Sequence, residues 1–348
     1  MILTASLLLL SLPAPPPLSG GEVVLLKDKP SRKFSYVLPG ERWLTVGDDL
    51  PIVHQGGTGF AVQTDGEALL VDTDGDGIPE RRIEGSLNED TGERKAFCLL
   101  ESTRTSGADL RYGVRLRNQG KGWEWAPSGA VQGKLGGQKI AVIDQDGDGI
   151  FGEIGQDALI VGSGKRATFL SATMHVDGKL MALRVNSEGT QLELEPYQGA
   201  IGTLDLATDF EADGRVLGAV IKSSDGKHSF DLARSSGPLS VPSGRYRLHS
   251  GLLGLGEARV EVLEGNMKPM QVQTGQATSL AWGGPSRAEF TYQRSGNDLQ
   301  FDPNEVWWYG AAGEEYKGWA PRGKSPEFTV VERKLGTELL KALFPGSC

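Results

Sequence analysis

The chain has 348 residues, of which 38% are hydrophobic and 23% are charged. It is long enough for two or three domains and apolar enough to fold, which excludes an intrinsically disordered chain. Its 49 glycines are about twice the usual share and follow no collagen period, which favours many tight turns and an all-β fold. The net charge of −9 and the lack of a basic stripe argue against nucleic acid as a partner.

Residues 1–21 are predicted to form a signal peptide. The apolar run 1–12 is too short to span a bilayer but has the length of a signal-peptide core, and a proline-rich break follows it. The run has no preceding Lys or Arg, and a buried N-terminal strand is the alternative. The signal predicts a secreted, periplasmic or cell-surface protein. No other stretch is apolar enough for a transmembrane segment.

The sequence predicts that residues 22–195 form a β-rich domain. Strands are expected at residues 67–71, 110–117 and 138–143. The second of these alternates apolar and charged residues, which is typical of a half-buried strand. Hairpins are expected where Asp-Gly or Glu-Gly separates short apolar runs, at residues 176–180 and 183–194.

The two cysteines leave two alternatives open. Cys98 lies in the apolar run 96–100, and Cys348 is the last residue given. Export would permit a disulfide between them, but two cysteines so far apart carry no spacing signature. The alternative is that Cys98 is a small buried core residue.

Residues 196–269 are predicted to form a second β unit. A Pro-x-Gly turn at residues 242–244 leads into Arg-Tyr-Arg-Leu at 245–248. This arrangement resembles a strand of transthyretin-like and carboxypeptidase-regulatory-like sandwiches. The resemblance implies a transthyretin-like or immunoglobulin-like β-sandwich with a spacer or stabilising role.

Residues 270–348 are predicted to form a C-terminal β domain. Residues 309–318 and 326–330 together resemble uncharacterised exported bacterial β-sandwich proteins, which implies a fold and a compartment but no activity. Only residues 338–344 have a helical pattern, and a final strand is the alternative. The expected fold class is therefore all-β, with several β-sandwich-like modules and little helix.

The strongest motif is a pair of Asp-Gly loops with carboxylates at alternate positions. Calcium prefers six to eight oxygen ligands, and a glycine at the sixth position permits the sharp turn that wraps them round the ion. In the first loop the expected ligands are Asp72, Asp74, Asp76, the Ile78 carbonyl, Glu80 and Glu84. In the second they are Asp144, Asp146, Asp148 and the Ile150 carbonyl, with Glu153 or Asp157 completing the shell.

The first loop has Ile83 where an EF-hand loop has its bidentate Glu. It therefore resembles thrombospondin type 3 repeats and the Asp-rich loops of integrin-type propeller blades. This resemblance implies calcium as a cofactor and an extracellular setting. Each loop follows a predicted strand, which favours a structural site over an EF-hand sensor that opens a groove. Two metal-free Asp-Gly turns are the alternative.

No nucleophile elbow, P-loop, Rossmann or zinc-protease motif occurs in the sequence, and the four histidines lack metal-ligand spacing. The expected function is an exported calcium-binding structural or binding protein without catalytic activity. A carbohydrate-binding or adhesive module, with a cell-surface polysaccharide or protein as partner, is the alternative, and an extracellular hydrolase is a third. The alternative depends on an aromatic cluster that could instead pack in the core: Trp307, Trp308, Tyr309, Tyr316 and Trp319.

Overall fold

A computed structural model describes residues 21–235, 237–296, 298–319, 327–332 and 334–343. The predicted signal peptide, apart from residue 21, lies outside these ranges, as does Cys348. The chain is nearly all β, with 55% of residues in strands and no helix of seven or more residues in the described part. This confirms the predicted fold class.

The strands to residue 196 are β1 Glu22–Leu25, β2 Lys27–Pro30, β3 Leu44–Thr45, β4 Asp49–Leu50, β5 Phe60–Asp65, β6 Ala68–Val71, β7 Arg81–Ile83, β8 Ser86–Leu87, β9 Arg94–Thr103, β10 Asp109–Asn118, β11 Trp123–Pro127, β12 Gly129–Leu135, β13 Gln138–Ile143, β14 Ala158–Val161, β15 Thr168–Phe169, β16 Thr173–Val176, β17 Lys179–Val185 and β18 Gln191–Pro196.

The strands after residue 196 are β19 Ile201–Asp205, β20 Phe210–Glu211, β21 Arg215–Ser223, β22 Ser229–Asp231, β23 Leu239–Pro242, β24 Gly244–Leu255, β25 Ala258–Leu263, β26 Met270–Val272, β27 Ala277–Ser279, β28 Trp282–Gly283, β29 Arg287–Ser295, β30 Asp298–Tyr309, β31 Glu315–Lys317, β32 Glu327–Val331 and β33 Glu338–Leu343. A 3₁₀ turn covers Leu232–Arg234.

Most sheets of the first part of the chain are short antiparallel meanders. Their strand orders are β1-β18-β17-β16, β3-β11-β10-β9-β8, β15-β14-β13-β12-β2 and β4-β5-β6-β7. The largest sheet in the described residues follows them, in the order β22-β21-β24-β25-β31-β30-β29, with β26 paired to β24. Smaller sheets are β23-β19-β27, β20-β28 and the hairpin β32-β33.

Local sequence accounts for many of these strands. The Asp-Gly turn between β16 and β17 has φ values of 47° at Asp177 and 77° at Gly178, the left-handed conformation that a tight hairpin requires. In β24 the residues alternate, with Tyr246 and Leu248 buried and Arg245, Arg247 and His249 exposed. The final segment, whose pattern left helix or strand open, forms the strand β33.

Two large hydrophobic clusters fill the interior. The first draws its buried residues from between Val24 and Leu194, and Trp125 is its largest fully buried side chain. The second draws on residues from Leu180 to Tyr316, and Trp282 and Tyr246 are its largest fully buried side chains. It extends across the predicted boundary at 269/270. The division into domains at 195/196 and 269/270 stays a prediction.

Cys98 is buried in β9 with 1% of its surface exposed, and burial raises the pKa of its thiol to about 11. This burial agrees with the alternative that Cys98 is a small core residue. A thiol with a raised pKa is seldom ionised at neutral pH and is therefore unreactive. The disulfide alternative involves Cys348, which lies outside the described residues.

Candidate metal centre

The first loop, Asp72 to Glu80, joins β6 to β7 and wraps around the carboxylate of Asp72. Asp72 is fully buried. Its Oδ1 accepts a hydrogen bond from the Gly75 N–H at 2.7 Å, and its Oδ2 accepts one from the Gly77 N–H at 2.9 Å. Both glycines have positive φ, which a side chain would disfavour. The loop thus directs its backbone N–H groups at the first carboxylate, and its role as a cation site stays a prediction.

The first loop brings its alternate carboxylates together. Each of the group Asp72, Asp74, Asp76 and Glu80 has an oxygen within 4.8 Å of the others. All but Asp72 are exposed. Glu80 also accepts hydrogen bonds from the backbone N–H and the hydroxyl of Thr73.

Two further residues predicted as ligands of the first loop, Glu84 and Ile78, are not part of this acidic group. Glu84 is not in the acidic group, because its carboxylate lies 3.2 Å from Nε of Arg82 on the surface. Ile78 lies in the loop and donates its N–H to Asp76 at 2.8 Å. The role predicted for its carbonyl stays a prediction.

The second loop repeats the geometry of the first in a buried setting. Asp144, directly after β13, is 1% exposed. Its Oδ1 accepts a hydrogen bond from the Gly147 N–H at 2.7 Å, and its Oδ2 accepts from the Gly149 N–H at 2.9 Å. A Cβ at Gly149 would lie 2.9 Å from Cα of Ile52, so glycine also permits close packing of the loop against the segment after β4.

Two overlapping acidic groups form in the second loop. Asp144, Asp146 and Asp157 make one, and Asp146, Asp148 and Glu153 make the other, each with oxygens within 4.8 Å of one another. The turn from Glu153 to Asp157, closed by a 3.0 Å bond from the Glu153 N–H to Oδ2 of Asp157, brings both candidate distal residues to the loop.

Three carboxylate oxygens of the second loop are buried without a hydrogen-bond partner among the described residues. They are Oδ1 of Asp146, Oε2 of Glu153 and Oδ1 of Asp157. A buried polar atom without a partner costs free energy, and a buried carboxylate costs far more than a neutral group. Atoms of this kind are the ligands that a hard cation such as Ca²⁺ requires.

Burial also changes the protonation of this group. It raises the pKa of Asp157 to about 9, with the nearby carboxylate of Asp144 adding to the effect. Burial raises the pKa of Asp144 to about 7, and burial with the charge of Asp148 raises the pKa of Glu153 to about 7. Without a cation the loop therefore holds protons at neutral pH.

The structure adds two residues that the sequence did not single out. Tyr112, buried in β10, donates its hydroxyl to Oδ2 of Asp144 at 2.7 Å. Gln145, also buried, accepts the N–H of Gly40 at 3.0 Å and donates to the carbonyl of Gln156. Tyr112 carried only the period-2 signal of an inward-facing strand residue, which is the same for any core position.

The donor set fits a hard divalent cation. Every side-chain ligand in both loops is a carboxylate oxygen, and no His or Cys belongs to any of the three acidic groups. Oxygen ligands suit calcium, magnesium and manganese rather than zinc or copper, which prefer nitrogen and sulfur.

The aromatic cluster divides between two faces of β30. Trp308 packs against Trp319 with ring centroids 5.4 Å apart, and Trp319 packs in turn against the buried Tyr316. Trp307 and Tyr309 lie on the other face, because neighbouring strand residues alternate, and Trp307 is 37% exposed. A sugar-stacking surface on this strand would therefore be limited to Trp307 and Tyr309.

No family model, curated protein or solved structure matches this chain. In the described part of the chain, no helix has the length and apolar character needed to cross a membrane.

Proposed function

We propose that the protein is an exported, non-catalytic β-sandwich protein whose fold is stabilised by calcium, bound chiefly in the second loop. The supporting observation is the set of three buried carboxylate oxygens without a hydrogen-bond partner in that loop. They lie in two groups that share Asp146 and have the all-oxygen chemistry of a calcium site. The apolar N-terminal run supports export.

The position of each loop explains how a cation would act on the fold. The second loop joins β13 to β14. These strands are antiparallel, with Ile143 paired to Ala158 beside the loop and Ile140 paired to Val161 at the far end. The first joins β6 to β7, which pair in the same manner. A cation held by such a loop ties two neighbouring strands together. Because it binds the folded loop and not the unfolded chain, it adds stability as its concentration rises.

The two loops are expected to differ in affinity. The second loop has buried carboxylates whose desolvation a cation relieves, whereas three of the four acids in the first loop are exposed. We assign the first loop to the range of extracellular modules, about 10⁻⁴–10⁻³ M, and the second to tighter binding.

Calcium titration calorimetry on the protein and two loop variants tests this assignment. We expect Asp157→Asn to remove the tighter phase and Asp74→Asn to remove the weaker one, because each substitution deletes an anionic ligand of one loop only. Asp90→Asn serves as the charge-matched control, since Asp90 lies in an exposed turn outside both loops. The proposal would be contradicted if the Asp157→Asn variant bound calcium as tightly as the unsubstituted protein.

The pH dependence of calcium binding provides a second test. The pKa values of about 7 for Asp144 and about 9 for Asp157 mean that calcium must displace protons at neutral pH, since a ligand carboxylate binds in its ionised form. Calcium affinity is therefore expected to rise from pH 6 to pH 9, with proton release at pH 7. Calorimetry in buffers of different ionisation enthalpy measures that release. A constant affinity across this range would count against buried carboxylates as the ligands.

The same pKa shifts determine how the stability of the calcium-free protein changes with pH. The folded state binds protons at these carboxyls up to about pH 9, whereas unfolded Asp and Glu release theirs near pH 4. Stability in EDTA therefore falls as pH rises from about 4 to about 9.

A further inference from the structure

A cleft of about 400 Å³ lies beside β2 and the β14–β15 connection, away from both acidic loops. Four lysines line it, and we call it the lysine cleft: Lys29, Lys33, Lys139 and Lys165. They come from three stretches of the chain, since Lys29 and Lys33 are close in sequence, and the fold brings these stretches together. Among the described residues, no Asp or Glu lines the cleft, although the protein as a whole has a net charge of −9.

The positive charge of the lysine cleft is not neutralised within the described residues. No ion pair among them includes any of its four lysines; the lysines that do form ion pairs are Lys95, Lys317 and Lys341. Like charges in one concave site repel one another and raise the local concentration of anions. An anion bound there would meet several ammonium groups and no competing carboxylate.

One wall of the lysine cleft contains an ordered polar group. Lys139, half-buried in β13, donates to the hydroxyl oxygen of Tyr36 at 2.7 Å, and Gln132 of β12 donates to the same oxygen at 3.2 Å. A tyrosine hydroxyl has one donor and two acceptor positions. Both acceptor positions are thus occupied, and the O–H of Tyr36 has no acceptor among the described residues. Lys139 retains two further N–H donors.

The walls of the cleft are fixed by main-chain bonds. The segment that carries Tyr36 is held to the β14–β15 connection, because Val37 donates its N–H to the Lys165 carbonyl and accepts from the N–H of Ala167, both at 2.9 Å. Strand β2, which carries Lys29, pairs with β12. The backbone of the walls is therefore fixed, and the hydrogen-bonded pair Lys139 and Tyr36 requires little reorganisation on binding. The other three lysines are exposed side chains.

We propose that the lysine cleft binds a small phosphate-bearing molecule. Lysine ammonium groups and a tyrosine O–H donate to phosphate oxygens in charge-assisted hydrogen bonds. The volume lies in the range of small-molecule sites and holds more than the phosphate group. The hydroxyls of Ser31, Ser35 and Ser163, which also line the cleft, match a hydroxylated body such as a sugar. This site shares no residue with the calcium loops.

Calorimetric titration of the full chain with glucose 6-phosphate, inorganic phosphate and glucose tests the proposal. We expect the two phosphates to bind and glucose not to bind, with affinity falling as salt rises from 50 to 500 mM, because screening weakens charge contacts. Tighter binding of glucose 6-phosphate would assign the ligand as a phosphate ester, and equal binding would assign it as the free anion. Failure of both phosphates to bind at low salt would overturn the proposal.

Variants then locate the binding. Tyr36→Phe, which removes only the hydroxyl, is expected to weaken phosphate binding by about tenfold, the effect of one hydrogen bond to a charged group. Lys139→Gln is expected to weaken it at least as much. Lys121→Gln is the matched control, because Lys121 is an exposed lysine away from the cleft. An equal loss of affinity in Lys121→Gln and Lys139→Gln would show a general charge effect and would refute the site.

Discussion

Calcium is expected to raise the midpoint of thermal unfolding by about 5–9 °C relative to EDTA. A site with a dissociation constant of about 10⁻⁴ M, in about 5 mM calcium, adds about 2.3 kcal/mol to the free energy of unfolding. Each kcal/mol shifts the midpoint by about 2–4 °C in a folding unit of 150–250 residues. Tighter binding in the second loop would increase the shift. Differential scanning calorimetry at pH 7 measures it.

The variant Asp157→Asn separates a metal ligand from an ordinary structural residue. Because the pKa of Asp157 is raised to about 9, the calcium-free protein holds this side chain neutral at pH 7, as an amide would be. The amide oxygen can still accept the N–H of Glu153, as Oδ2 does now. We therefore expect equal midpoints for the protein and this variant in EDTA, and a lower midpoint for the variant in calcium.

Two other results would decide against this account. A large destabilisation of Asp157→Asn in EDTA would assign the residue a role in the fold that is independent of calcium. An unchanged midpoint of the unsubstituted protein on adding calcium would remove the stabilising function. Asp90→Asn is expected to respond to calcium as the protein does, because its exposed turn lies outside both loops.

The local turn of each loop is the part of the candidate site that follows from sequence spacing alone, whereas metal binding stays a prediction. Alternate Asp residues followed by glycine specify a turn wrapped around the first carboxylate, and this is a local property of about six residues. Asp72 and Asp144 both show it. The distal residues depend instead on where the chain returns, so Glu153 and Asp157 reach the second loop whereas Glu84 turns to Arg82.

Features that arise from tertiary packing could not be predicted from local sequence patterns. The contact of Tyr112 with Asp144 joins residues 32 positions apart, and period-2 alternation says only that Tyr112 faces inward. The lysine cleft depends on the neighbouring strands β2, β12 and β13 and on two connections that the fold brings to them. A scan for charge runs along the chain does not detect such a site, because its lysines are distributed over more than 130 positions, from 29 to 165.

A buried ion pair joins the start of the chain to the turn after β9. Arg104 is 4% exposed, and its guanidinium donates to both carboxylate oxygens of Asp28, at 2.6 and 3.1 Å. It also donates to the carbonyls of Asp109 and Glu188. Asp28 accepts in addition the N–H of Arg111 at 2.8 Å. Through these four acceptor oxygens the guanidinium connects β2, the start of β10 and the turn between β17 and β18.

Loss of the guanidinium at Arg104 is expected to cost about 3–5 kcal/mol of the free energy of unfolding, because Asp28, whose side chain is only 13% exposed, would remain as a largely buried charge without its partner. Arg111→Met provides the matched control in the neighbouring strand. Its ion pair with Glu101 is about half exposed on both sides, and such pairs contribute less than about 1 kcal/mol. Urea unfolding of Arg104→Met and Arg111→Met at pH 7 measures both values.

The double variant Asp28→Asn/Arg104→Met identifies the cause of that loss. An amide at position 28 is neutral and can still accept the N–H of Arg111, so the penalty of an unpaired buried charge disappears. We expect the double variant to be more stable than Arg104→Met alone, although it carries one more substitution. A less stable double variant would place the loss in the packing and carbonyl contacts of Arg104 rather than in the unpaired charge of Asp28. The ion pair would then not be the stabilising element at this junction.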